Sequence, residues 1–293
     1  MGIVEALASR GHQVTVVSGY AESTKKNNIR DVLIKDLDID SIVSTSFESP
    51  GNAIKNLLLN SPQMCSDTLG QKDVQDLKKE KFDIVMISVF FNYCYLSLVD
   101  HFNVPFVYLS SGGLFSPFTD MANNVDFPSV FSSKVLGASF PLSFKERLLN
   151  TFYNGFFWGV FKFYLMPRTE KICKERGLCS ENLSLFDLGN NSSLTIINSF
   201  KTLEVPPRPV IPNIIYAGGA HIKPAKGVPK DLESWIAGSG NEGFIFFSLG
   251  STLNPSILPE RYRKILVKVF GSLKQRILWK WSEEINARFG PKM

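Results

Sequence analysis

FIFFSLGS, residues 244–251, decides the fold: an apolar run rich in aromatics breaks at once into Ser248-Leu249-Gly250-Ser251. A buried parallel strand that ends in a small-residue loop reads this way. In an open α/β sheet, ligands settle outside the carboxyl ends of the strands. Gly250 permits close approach to the backbone, and the hydroxyls of Ser248 and Ser251 suit phosphate or ribose. Alone, the motif also describes an ordinary turn after a strand, so its surroundings decide. Pro259 to Leu273 reads as an amphipathic helix and Arg276 to Trp281 as the next strand. Trp279 and Trp281 have rings that stack, but alternation in a buried strand favours core packing. Only Thr252 to Met293 follow the loop, too few to complete the domain that the strand begins. Both ends of the chain are therefore expected to be cut, the other end because Met1 opens directly onto a helix feeding a strand.

Upstream, short apolar runs alternate with polar segments, as in α/β domains. Glu5 to Ala8 reads as helix, Arg10-Gly11-His12 as its C-cap and Val14 to Val17 as a strand. Lys25 to Asp40 is polar and charged, and a helical stretch runs through Ile54 to Leu59. A charged helix, Asp73 to Lys81, precedes the apolar strand Phe82 to Ile87. The helix Tyr93 to Phe102 then leads to the strand Pro105 to Leu109, a unit that implies parallel pairing. Thr195 to Asn198 and Ile214 to Ala217 complete the strands of the first domain. Prolines, glycines and charges without apolar periodicity mark the passage from Lys223 to Gly240. The expected division is a first domain over 1–225, a linker over 226–240 and the start of a second domain over 241–293.

Leu148 to Met166, LLNTFYNGFFWGVFKFYLM, is the least ordinary segment. Its length alone suits a membrane span, but Asn150, Asn154, Gly155, Gly159 and Lys162 dilute it. A helix packed on the sheet or lining an apolar pocket, an interfacial helix resting on a membrane, and a span all fit the residues.

Composition narrows the function classes. The chain has 293 residues, is 44% hydrophobic and carries 24 Phe, a load that points to large buried or membrane-facing surfaces. Its charge of +5 is dispersed, with no basic block of the kind that binds nucleic acid. Cys65, Cys94, Cys173 and Cys179 form no CxxC pair and the three histidines stand far apart, so no metal site is expected. Cys173 and Cys179 are near enough in sequence to be bridged, and a free buried pair fits equally. Asn182, Asn190 and Asn191 each begin an Asn-x-Ser triplet.

In this order, the landmarks resemble the UDP-glycosyltransferases of animal type, the family containing the glucuronosyltransferases. LASRGHQVTVVS resembles the family's first helix and strand, and FDIVMISVFFNYCYLSLVDHFNVPFVYLS its central strand–helix–strand. Asn198-Ser199 with YAGGAHIKPAK at 216–226 is similar to its passage before the linker. SGNEGFIFFSLGS resembles the opening of its donor domain, and ILWKW the strand after that. The resemblance covers essentially the whole chain.

It implies an α/β fold of GT-B type, two facing Rossmann-like domains, the second one truncated here. The first would hold a small lipophilic acceptor and the second a UDP-sugar, with Ser248, Gly250 and Ser251 binding the donor. The implied reaction transfers a hexosyl group, glucose or glucuronic acid, with inversion. A histidine base takes the acceptor proton while an acid orients that base, because an alcohol is a poor nucleophile until deprotonated. No cofactor beyond the UDP-sugar co-substrate and no metal are implied. Membrane association, residence on the lumenal side of the endoplasmic reticulum and oligomerisation are further expectations.

The chain departs from that pattern. The base histidine is expected upstream of Met1, and His12 belongs to the turn after the first helix. The orienting acid's position, at the end of the FDIVMI strand, is occupied by Ser88, which accepts a hydrogen bond but supplies no charge. Asp83, five residues earlier, is out of register with it. His221 is expected to be structural or interdomain, and His101, beside Asp100, a surface residue. The acceptor pocket is expected among Phe90–Tyr95, Phe115–Phe118 and Phe152–Phe163. The alternative reading is a non-catalytic short member that binds lipophilic ligands or pairs with full-length relatives; the fragment alone is expected to be inactive.

Overall fold

The structure is a computed structural model that describes residues 2–20, 27–35, 50–133, 137, 140–250 and 258–280, without the side chains of 50–54. The chain divides into two compact units, one of Met1–Leu37 with Leu58–Lys223 and one of Asp38–Leu57 with Pro224–Met293.

In the larger unit, helix α1 (Gly2–Ser9) ends as its sequence foretells. Gly11 takes φ +91°, which only glycine adopts cheaply, and its N–H donates to Ala8 O at 3.0 Å while that of His12 donates to Leu7 O at 3.2 Å. Strand β1 (Val14–Ser18) pairs in parallel with β2 (Ile29–Leu33). The second of these lies inside the stretch read as merely polar. Its Arg30 and Asp31 obscure the strand period because this strand carries its charges on the surface: Arg30 reaches Glu80 at 2.8 Å and Thr15 Oγ1 at 3.1 Å.

A second, four-stranded sheet is parallel throughout, in the order β3 (Val85–Ser88), β4 (Phe106–Ser110), β5 (Leu194–Ile197), β6 (Ile214–Tyr216). Pairing of β3 begins only at Val85, whose N–H donates to Pro105 O; Asp83 and Ile84, read as strand, are exposed. Short helices and 3-10 turns connect β3 to β4 through α3 (Leu96–Phe102), as expected for a strand–helix–strand unit. Helix α2 (Pro50–Leu69) is longer than the sequence suggests, running through Pro62. Its buried positions Ser61, Cys65 and Leu69 recur every four residues, and small residues there hide the apolar stripe from a hydropathy reading.

The aromatic segment forms helix α4 (Phe144–Val160), a π-helical turn at Phe161–Leu165 and helix α5 (Met166–Glu175). A capping box starts it: Ser143 Oγ accepts from Glu146 N–H, and Glu146 accepts from Ser143 N–H at 2.7 Å. One side is buried through Phe161, Leu165 and Met166, with Phe161 edge-on to Tyr93 at 5.0 Å. The other exposes Leu148, Phe152, Phe156 and Phe163. Among the described residues no helix is long and apolar enough to cross a membrane, so the spanning reading of this segment falls.

Asn150, which reads as a mere dilution of the apolar run, is fully buried at 0% exposure. Its Nδ2 donates to Pro128 O at 2.6 Å and Phe131 O at 2.8 Å, and its Oδ1 accepts from Ser133 N–H at 2.8 Å. One side chain thus closes the loop before α4. Asn150→Ala is expected to lower the unfolding free energy by about 1–3 kcal/mol, because the carbonyls lose their donor away from water. Calorimetric melting checks it; a Tm equal to the parent's would show that the loop is held otherwise.

All four cysteines are paired, Cys65 with Cys94 and Cys173 with Cys179. The first bridge joins α2 to the turn after β3 across 29 positions, a pairing that local spacing does not foretell. The second settles the question that sequence left between a bridge and a free pair.

In the smaller unit, β7 (Phe244–Phe247) pairs in parallel with β8 (Arg276–Trp279), as read, and α8 (Glu260–Gly271) is the amphipathic helix. The strand is not buried on both faces, however. Ile245 and Phe247 are half-buried, Phe247 stacking edge-on against Phe270 at 5.2 Å, while Phe246 is 61% exposed. With only β8 beside it among the described residues, β7 alternates like a half-covered strand. The passage read as a linker contains helix α7 (Lys230–Ala237), whose Trp235 packs against Phe244 at 6.1 Å.

Candidate functional site

Parallel pairing puts the carboxyl ends of β3, β4, β5 and β6 along one edge, which gathers Ser88, Ser110, Asn198 and the turn at Ala217–His221. Ser88 is exposed at the last position of β3. Beyond it the chain turns sharply. Ser88 O accepts from Phe90 N–H at 3.0 Å and from Asn92 Nδ2 at 3.2 Å, and Phe91 is held at φ +57°. That conformation is strained for a bulky residue, and the turn presents the exposed ring of Phe90, edge-on to Phe91 at 5.1 Å.

Asn198 Oδ1 accepts from Gly219 N–H at 3.0 Å, and its Nδ2 lies 3.4 Å from His221 Nδ1. His221 is exposed in a turn that closes on α1, since a Cβ on Gly2 would overlap the carbonyl of Ala220. His12 is exposed in its turn, and His101 Nε2 sits 2.9 Å from Lys78 O at the surface, so neither reaches this edge.

Of the residues expected to line an apolar pocket, Tyr93, Phe118 and Phe161 are instead core. Tertiary packing draws them inward: Tyr93 and Phe161 meet each other, and Phe118 meets Tyr108. Burial raises the phenol pKa of Tyr93 well above its ordinary value. Burial also raises that of Tyr95, so both stay neutral. Phe90, Phe152, Phe156 and Phe163 remain at the surface.

In the smaller unit, the loop after β7 folds onto itself. Ser248 Oγ accepts from Gly250 N–H at 3.2 Å, and Gly250 takes φ +87° with open space where a Cβ would stand. A side chain here would be strained by the backbone and would also occupy the space above the loop. Ser251 and Trp281 lie outside the described residues. Trp279 packs edge-on against Phe247 and Phe270 at 5.6 and 5.5 Å, the core role its alternation foretells.

Sequence reasoning passed over Lys280. It follows β8 directly, its N–H donates to Phe247 O, and its Nζ donates to Gly250 O at 3.2 Å. The signal was present: parallel register with β7 brings the residue after Trp279 to the loop after Phe247. The arrangement offers a hydroxyl, an unobstructed backbone and an ammonium at the adjoining carboxyl ends of β7 and β8, a combination suited to a phosphate-bearing ligand.

Comparison with known proteins adds to this geometry. Residues 1–291 match the family described as UDP-glucoronosyl and UDP-glucosyl transferase. UDP-glucuronosyltransferase 2B15 of Homo sapiens is 28% identical over 95% of this chain and 56% of its own length. UDP-glucosyltransferase 2 of Dactylopius coccus is 24% identical over 96% of this chain and 56% of its own. The chain thus spans about half the length of the curated relatives it matches. Among solved structures, that of the glycotransferase of kitacinnamycin aligns with a TM-score of 0.51 at 14% identity, covering 98% of this chain and 62% of that one. This likeness speaks to the fold alone: parallel, Rossmann-like α/β units of the GT-B class.

Proposed function

The chain belongs to the UDP-glucoronosyl and UDP-glucosyl transferase family, and from that membership we infer that the protein serves hexosyl transfer from a UDP-sugar to a small lipophilic acceptor with inversion. The observation that carries this is the loop at Ser248–Gly250 with Lys280 beside it. Among the described residues Ser248 Oγ accepts from Gly250 and donates to none, which leaves its hydroxyl hydrogen for a ligand oxygen. Gly250 leaves room for the diphosphate against the backbone, and the ammonium of Lys280 offsets its charge. In this reading Ser251 joins Ser248 and Gly250 in donor binding, and the sugar is glucose or glucuronic acid.

The acceptor belongs at the carboxyl edge of β3 to β6, where the exposed Phe90 ring supplies an apolar surface. Ser88 leaves the orienting-acid position neutral, so a histidine base there would be held by a hydrogen bond without charge. The two disulfides support residence in an oxidising compartment, the lumen of the endoplasmic reticulum in this reading. The exposed aromatic face of α4 supports contact with its membrane. The division into an acceptor domain over 1–225, a linker over 226–240 and a donor domain from 241 completes the proposal. The alternative, a non-catalytic ligand-binding member, is separated from it by turnover.

The test uses the full reading frame of the transcript, assayed with labelled UDP-glucose and UDP-glucuronic acid over a panel of phenols and alcohols. One of the two sugars is expected to be transferred, and Lys280→Ala to weaken UDP binding about tenfold, or about 1.4 kcal/mol. Absence of both UDP binding and transfer would overturn the reading. Binding without transfer would favour the non-catalytic alternative.

A further inference from the structure

Of the three Asn-x-Ser triplets, the structure separates two from the third. Asn182 is exposed in the turn Ser180–Leu183, closed by Leu183 N–H donating to Ser180 O at 3.2 Å. This turn directly follows the Cys173–Cys179 disulfide and is pinned by Ser180 Oγ donating to Asp100 Oδ2 at 2.8 Å. Asn191 is exposed in the turn between α6 (Leu185–Gly189) and β5. Neither side-chain amide is hydrogen-bonded among the described residues. Asn190 differs: it is half-buried at the end of α6, and its carbonyl accepts from Asn123 Nδ2 at 2.5 Å. The overlapping triplets share residues, so a glycan at Asn191 takes the place of one at Asn190.

Position in the fold favours the same two. Ser193 N–H donates to Phe106 O, the first residue of β4, which puts Asn191 at the amino edge of the sheet. Asp100, which holds the Asn182 turn, lies near the end of α3, from which the chain passes into that same edge. Ser88, Asn198 and His221 stand at the opposite, carboxyl edge. Bulky polar groups on Asn182 and Asn191 would leave the candidate acceptor edge uncovered.

We propose that Asn182 and Asn191 each carry an N-linked oligosaccharide, an inference that rests on the lumenal placement above. In the transfer, Nδ2 of the asparagine bonds to C1 of an oligosaccharide carried on a lipid diphosphate. The C1–oxygen bond to the diphosphate breaks, the lipid diphosphate leaves, and one amide proton is released; nothing is oxidised or reduced. The chemistry requires an Asn-x-Ser in a surface loop of a protein that enters the secretory route. Both loops meet the first condition, and the paired cysteines point to the second.

The test directs the full chain into the endoplasmic reticulum of animal cells behind a cleavable leader. Gel mobility is compared before and after an amidase that removes Asn-linked glycans, and non-reduced peptides are mapped by mass spectrometry. Two discrete mobility steps are expected. Asn182→Gln and Asn191→Gln each remove one, the pair removes both, and amidase treatment converts positions 182 and 191 to aspartate. These side chains are exposed and make no hydrogen bond among the described residues, so the substitutions leave the fold intact. Molecules with both disulfides formed but Asn182 or Asn191 unmodified, or with the glycan on Asn190, overturn the inference while lumenal residence stands. Free thiols at all four cysteines in an unglycosylated chain overturn both.

Discussion

Phe118→Ala lowers the stability of the larger unit by about 3–5 kcal/mol, the cost of deleting a fully enclosed aromatic ring. Phe118 is 0% exposed, with its ring edge-on to Tyr108 at 5.5 Å and tilted to Phe115 at 5.8 Å. Tyr108 is edge-on to Phe106 at 5.1 Å and donates its hydroxyl to Gly189 O at 3.0 Å, so it is not free to swing into the space left behind. Gly189 is itself tightly enclosed, since a Cβ there would stand 2.6 Å from Met121 Cε and 3.2 Å from Tyr108 Oη, which leaves Tyr108 little room to shift. A cavity that cannot collapse sits at the upper end of the measured range for such truncations. Phe152→Ala is the control, the same deletion on a ring that is 67% exposed, and it stays within about 0.5 kcal/mol. Hydrogen exchange of the β4 amides, together with urea titration, measures both. Equal losses in the two variants would show that the core assignment of Phe118 is wrong.

The second large effect is expected at Arg208. Its side chain is 10% exposed, paired with Asp126 at 2.5 Å and 3.9 Å from Glu204, with the guanidinium 4.6 Å over the ring of Phe131. Tyr216 donates to Glu204 Oε2 at 3.0 Å, and burial, then the Glu204 charge, hold that phenol well above its ordinary pKa. One cation therefore neutralises two carboxylates from segments far apart in sequence. Replacing it with methionine keeps the packing volume and strands both charges. A loss of about 3–5 kcal/mol follows, because breaking a buried pair costs far more than the pair contributes. Adding Asp126→Asn to Arg208→Met recovers part of that loss, and a double-mutant cycle by urea unfolding reads the coupling. Strictly additive effects of the two substitutions would mean that the contact carries no coupling energy.

Neither residue declares its role in the sequence. Phe118 stands among residues that read as pocket lining, and its ring turns inward to pack against Tyr108 and Phe115. Arg208 stands in Pro206-Pro207-Arg208-Pro209, where prolines advertise an extended passage and say nothing of what the arginine meets. The candidate donor loop shows the same division. Ser248 and Gly250 announce themselves by following an apolar run, and the φ of +87° at Gly250 supplies the reason for glycine. Lys280 joins them only through the parallel register of β7 with β8.

By itself, the sequence determined what depends on neighbours along the chain: the alternation of strands and helices, the glycine C-cap after α1, the strand and loop at 244–250 and the order of landmarks that marks the family. Apolar period, helix caps and positive-φ glycines act over a few residues, so they are written locally. The tertiary structure alone decided which rings are core and which face solvent along 148–166, that the charged segment at 29–33 pairs as a strand, that Asn150 closes a loop, and that Cys65 meets Cys94. Each of these is a pairing between segments distant in sequence. Its free energy comes from burial and from satisfying polar groups away from water, and both are set only when the partner segment arrives.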